Sequence, residues 1–245
     1  MSEIRNTNGG TPQMKAVAIV CGALAFAAGS VMSSGFGGYA PDAFANPITP
    51  LPFAPAGYAF SIWGVIFIAL ILNAFYGLIK RDTNAEWDAT RWPLFVTQVI
   101  GAAWIGIAQV SPMIATVLIW VMLAGALLAL RSAMKTRDVW WLQVPLGLLA
   151  GWLTAACWVA TTTTLVGSFA AISPVVGSWI GLVGALVTAL ALLRALPQPA
   201  LGAAVVWALI GVIVTDLSGP MAFLVATILG TAVVAIMTLA TLRRA

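Results

Sequence analysis

All 11 lysines and arginines of this 245-residue chain fall at the ends of long apolar stretches or between them. Eight such stretches can be drawn, at roughly 15–34, 54–79, 92–110, 112–131, 140–166, 174–193, 199–215 and 220–242. Each approaches the ~20 mainly apolar residues that a membrane-crossing helix needs. With eight crossings and a cytosolic N-terminus, Arg5, Lys15, Lys80, Arg81, Arg91, Arg131, Lys135, Arg137, Arg194, Arg243 and Arg244 all lie on the cytosolic side. The outer loops keep only Asp42 and Asp216 as charges. That is the asymmetry expected of cytoplasmic loops, and dropping any crossing before the last would break it. The sequence therefore predicts an all-α integral membrane protein with both termini in the cytosol.

Proline and serine mark the joints. Pro55, Pro93, Pro112, Pro174, Pro199 and Pro220 fall near predicted helix starts, where a missing N–H costs nothing. Ser111 and Ser173 precede two of them as N-cap residues would. "VSPM" then reads as a tight turn between the third and fourth helices. The segment before residue 15 reads as a short cytoplasmic tail, and 15–34 as a span rather than a cleaved leader. The longest outer segment, 35–53, is rich in Gly and Pro; a lid and a plain connector both remain open for it. No internal repeat divides the helices into equal halves, which disfavours an inverted-repeat transporter.

The chain is 62% hydrophobic and 7% charged, against roughly 25% charged in soluble domains. Its excess of positive charge follows from loop placement, so no nucleic-acid partner is expected; the lipid bilayer is. Histidine is absent, which removes the usual metal and haem ligand and the commonest general base. No ionisable residue falls inside a predicted helix, so proton-relay chemistry has no carrier. Asp216 stands at the outer end of the seventh helix, where capping or facing water is expected. Ser, Thr and Cys have no base beside them, so no enzyme activity is predicted. Cys21 and Cys157 lie at different depths, too far apart for a disulfide, and read as small buried residues. Asn73, Gln98, Gln109, Gln143 and Thr161 to Thr164 are the neutral polar groups left inside, suited to bonds between helices. "GLLAG" at Gly147 and Gly151 and "GSWIG" at Gly177 and Gly181 permit close helix approach.

Tryptophan carries the most information. Trp87, Trp92, Trp140 and Trp141 of the 11 tryptophans fall near the cytosolic surface, as an interfacial belt would. Trp63 and Trp120 lie roughly 12 Å inside their outer helix ends, and Trp104 and Trp152 roughly 18 Å above their cytosolic ends. Four helices thus offer an indole at nearly one depth. Phe60, Trp63 and Phe67 share a helix face. A buried indole needs a partner for its N–H; packing between helices and a ligand pocket can each supply one, and the residues alone leave both open.

"FAPAGYAFSIWGVIF", from Phe53 to Phe67, resembles the second helix of the TspO/translocator-protein family, the tryptophan-rich sensory proteins, closest to its longer bacterial branch. "PLFVTQVIGAAW" is similar to the family's third helix, with Gln98 at its glutamine. "VPLGLLAGWLTAACWVA" is similar to the fifth, with Pro145, Gly151 and Trp152 in place. Two family asparagines are replaced, by Ala102 and in the region of Ala160 and Thr161. The resemblance covers 15–166 and implies a five-helix bundle there, after a tail at 1–14 and before three added helices in 167–245. It also implies a bacterial inner membrane and an apolar pocket lined by Tyr58, Phe60, Trp63, Gln98, Trp104, Trp152 and Ala156. The family is linked to porphyrins, other tetrapyrroles and sterols. The leading expectation is a protein that senses or moves an apolar planar molecule of this kind, such as a porphyrin held without a covalent bond. The alternative is a structural or assembly subunit, as a homo-oligomer or within a larger membrane complex. A third reading, alternating-access transport, lacks a coupling-ion site.

Overall fold

The computed structural model describes residues 11–32, 44, 46 and 51–243. Among these it is wholly helical: α1 Pro12–Met32, α2 Ile62–Lys80, α3 Ala85–Val110, α4 Pro112–Ala133, α5 Val144–Ser168, α6 Pro174–Ala195, α7 Pro199–Thr215 and α8 Met221–Leu242. Seven of these segments are long and apolar enough to cross a membrane, with α7 shorter at 17 residues. The eight expected segments are all present. Ser111 and Ser173 accept the N–H of Ile114 and Val176, capping α4 and α6 as their sequences suggest. Most of the 35–53 loop lies outside the described residues; Leu51 and Phe53, at its end, are buried.

Two boundaries differ from the expectation. The third helix starts at Ala85 rather than near 92, so Pro93 lies inside it. Its start is set by Asn84, whose side chain accepts the Trp87 N–H, with Glu86 and Asp88 in the first turn favouring the positive end of the helix dipole. Hydrophobicity alone misses this start because its first two turns are polar. The second helix begins with a 3₁₀ turn, Gly57–Ser61, and becomes α-helical only at Ile62.

The helices close into two rings. α2, α1, α3, α4 and α5 pack in that cyclic order, with α5 returning to α2. α5, α7, α8 and α6 form a second closed circuit. α5 belongs to both and is correspondingly the most buried span. Glycines permit its tightest approach: at Gly151 the Leu201 carbonyl of α7 occupies the space a Cβ would need, and Gln198 and Ala200 press on Gly147 in the same way. The second glycine pair is also spent inside the chain, Gly177 against Val166 and Gly181 against Phe53 and Thr162.

The basic end of the bundle is tied together by charge. Lys15 on α1 meets Asp88 on α3 at 2.7 Å, and Arg81 after α2 meets Asp138 before α5 at 2.8 Å. Arg91 was expected in a loop. It lies within α3 and is buried, donating to the carbonyls of Pro12, Arg81 and Asp82 and to Asp88. Trp87 likewise is no belt residue. It is 3% exposed, donates to Asp138 at 2.7 Å, and sits by Tyr76, which stacks on Trp141 at 4.7 Å. Trp92, Trp140 and Trp141 do face outward. Of the cysteines, Cys157 is buried but Cys21 is exposed on α1, contrary to expectation.

Candidate functional site

An aromatic cluster joins α1, α2 and α5 inside the first ring. Trp63 stacks on Phe67 with centroids 5.3 Å apart. It meets Phe26 edge-on at 5.5 Å and Trp152 edge-on at 6.1 Å. Phe60, in the 3₁₀ turn, meets Trp152 at 5.8 Å. Phe26 packs into the space left by Gly101 of α3, which brings a fourth helix into the cluster. Sequence reasoning did not single out Phe26; its spacing on α1 carries no motif, and only the α1–α3 approach reveals it.

Polar atoms in this region lack partners. Trp152 is 2% exposed and its Nε1–H reaches no acceptor. Gln98 is fully buried, and neither its Oε1 nor its Nε2 has a partner. Its carboxamide lies against Gly22 of α1, one turn toward the basic end from the Phe26–Gly101 contact. An unsatisfied buried group of this kind costs roughly 1–3 kcal/mol, and native proteins keep few of them.

The other expected residues go elsewhere. Trp104 donates to the Ala115 carbonyl of α4 at 2.8 Å. Trp120 donates to Thr161 at 2.9 Å and meets Trp158 edge-on. The predicted layer of four indoles therefore resolves into an edge-on pair, Trp63 and Trp152, and two rings tied to neighbouring helices. Depth along a helix is readable from spacing, but rotation about its axis is not. Tyr58 is 44% exposed and turns away from the cluster toward Trp207 of α7, 5.7 Å off. Ala156 stands half-buried one turn beyond Trp152. Asn73 and Gln143 make the bonds expected of buried amides, to the carbonyls of Trp141 and Thr136. Gln109 is exposed.

Among the described residues no group of three or more His, Cys, Asp or Glu could hold a metal ion. Asp216, expected to cap or face water, ends α7 but is 3% exposed, with Oδ2 unpartnered. Burial pushes its carboxyl above the ordinary range. The cluster of Phe26, Phe60, Trp63, Phe67 and Trp152 is thus apolar and aromatic, with the Trp152 indole donor and the nearby Gln98 carboxamide unpaired.

The family described as TSPO-like protein matches residues 15–241, through α8 and well beyond the 15–166 that carry the motifs. Neither the curated proteins nor the solved structures provide a match.

Proposed function

The chain belongs to the TSPO-like protein family, and from that premise we propose that it binds an apolar planar small molecule within the ring of α1 to α5, to sense it or to move it. The observation that carries this reading is the unspent polarity of Trp152 and Gln98 beside the stacked rings of Trp63 and Phe67 and the edge-on ring of Phe26. A ligand with an acceptor for the indole N–H and a complementary group for the carboxamide would offset their burial cost. Rigid aromatic walls add contact area at little entropic cost. A free-base porphyrin is the natural probe. With no histidine in the chain, such a ring would be held by stacking, burial and these hydrogen bonds, or through the weak thioether of a methionine. A bacterial inner membrane is the setting the motifs suggest.

The competing reading, an assembly subunit, drew on the glycine-rich faces. Both glycine pairs are filled by the chain's own helices, which removes that support and leaves the lack of ionisable chemistry as its remaining one. The test is a titration of detergent-purified protein with free-base protoporphyrin IX, followed by its main absorbance band. A saturable shift is expected, weakened about tenfold or more in Trp63→Ala and in Trp152→Phe. No saturable shift, or one that ignores both substitutions, overturns the reading.

A further inference from the structure

The segment that leads into α2 is held by the second ring. Its backbone, non-helical up to Ala56 and 3₁₀ from Gly57, runs alongside α7, and Ala59 in the 3₁₀ turn reaches Trp207, eight residues back from the helix's last residue, Thr215. At 1.5 Å per residue that is roughly 12 Å below the outer end of α7. Irregular backbone at membrane depth persists only where protein satisfies it, and here α6 and α7 do so. Phe53 N–H donates to Ser178 Oγ at 3.3 Å, and Ala56 N–H donates to the Gly211 carbonyl at 3.0 Å. Trp207 Nε1–H donates to the Ala59 carbonyl at 2.8 Å. The contact is tight: a Cβ on Gly211 would stand 2.8 Å from that of Ala59.

We propose that Trp207 and Gly211 are positioning residues for the candidate site. They fix the 3₁₀ turn, and the turn fixes where Phe60 and Trp63 stand against Trp152. Ala59, which Trp207 grips, is the immediate neighbour of Phe60, and the turn passes without a break into the helix that carries Trp63. The helices after residue 173 thus set the geometry of a site whose indole pair lies entirely in the first ring. This rests on the ligand-binding reading above and adds to it a role for the C-terminal helices.

The test uses the full chain and the same porphyrin titration, read by ligand absorbance because the variants remove tryptophan fluorescence. Trp207→Phe keeps a ring against Tyr58 but loses the N–H. It is expected to weaken binding about three- to tenfold, the range of one hydrogen bond, with the monodisperse fraction in detergent unchanged. Trp207→His, which returns an N–H donor, should recover part of that loss. In a Phe60→Ala background Trp207→Phe should add nothing, because both act on one wall. Wild-type affinity in Trp207→Phe, or full additivity with Phe60→Ala, overturns the proposal while Trp152→Phe still tests the reading beneath it. If the wild type itself shows no saturable shift, the reading falls and the proposal falls with it.

Discussion

In the ring closed by α1 to α5, a carboxamide and an indole N–H go unpaired beside stacked aromatic rings. In the ring of α5 to α8, the indole of Trp158, the amide of Gln198 and the hydroxyls of α8 are spent. Trp158 donates to Thr188 on α6 at 3.0 Å, and Thr227, Thr231 and Thr238 on α8 each return to a carbonyl one turn back. Gln198 bonds Gln143 and caps its own helix. Among the buried side-chain atoms of the described residues, the second ring leaves one hydroxyl unpartnered within its helices, Thr162 Oγ1, and one carboxylate oxygen at the end of α7, Asp216 Oδ2. The two rings share a wall and a lipid environment, so solvent does not explain the difference. What separates them is that in the first the unpaired indole sits within a cluster of aromatic rings and the unpaired carboxamide close by.

The most disruptive test of this contrast strikes the shared wall. Gly151→Leu puts a side chain where the Leu201 carbonyl sits, and a cost of about 3 kcal/mol or more is expected. Loss of monodisperse protein on size exclusion would register it; a well-behaved variant would mean that α5 and α7 are not locked. Next in size is Gln98→Leu. Removing an unpaired buried amide should stabilise the empty protein by about 1–2 kcal/mol while weakening porphyrin binding. A fall in the unliganded thermal midpoint would show that Gln98 is already satisfied and would erase the contrast.

A matched pair of tryptophans sharpens it further. Trp158→Phe strands Thr188 and should cost about 1 kcal/mol. Trp152→Phe strands nothing and should leave the unliganded midpoint level or slightly higher. Equal losses from both would make the rings equivalent. The smallest effects are in pH. The Arg81 guanidinium, hydrogen-bonded to Asp138, holds that carboxyl below the ordinary range, with Trp87 adding a second donor. Its stabilisation is therefore present above the unfolded pKa and is lost as pH falls through the lower folded value. Asp216 has the opposite sign: burial raises it, so the fold loses stability as pH rises from the ordinary carboxylate value through the raised one. In midpoint-against-pH curves, Asp138→Asn should flatten the acid limb, and Asp216→Asn should raise the neutral region and leave the acid end alone.

Much of this was legible in the sequence. The alternation of apolar stretches with one-sided charge gives the number of helices, because a misplaced lysine in a membrane has few ways to be accommodated. Ser111 and Ser173 carried their own cap chemistry, and the motif from Phe53 to Phe67 pointed to the family. The start of α3 was hidden because its first turns are polar and held by Arg91 and Asp88 rather than by lipid. The fate of the indoles was hidden for a different reason. Trp63 and Trp152 meet while Trp104 and Trp120 turn to Ala115 and Thr161, a matter of rotation about the helix axis that residue spacing between helices does not encode. Nor could local pattern announce that Ala59 would be held by a residue so far along the chain.

That last bond has a consequence in time. Ala59 and Trp207 are 148 positions apart, and ribosomes add roughly 5–20 residues per second. For something like 7 to 30 s by that rate, the nascent second helix is in the membrane while the groups that will cap its entry are still untranslated. Over that interval the Ala56 N–H must borrow water, headgroups or the insertion machinery, and the Ala59 carbonyl keeps only the Ile62 N–H of its own turn. The molecule's first half is thus completed by its last third, and a chain released early leaves its aromatic wall unbraced.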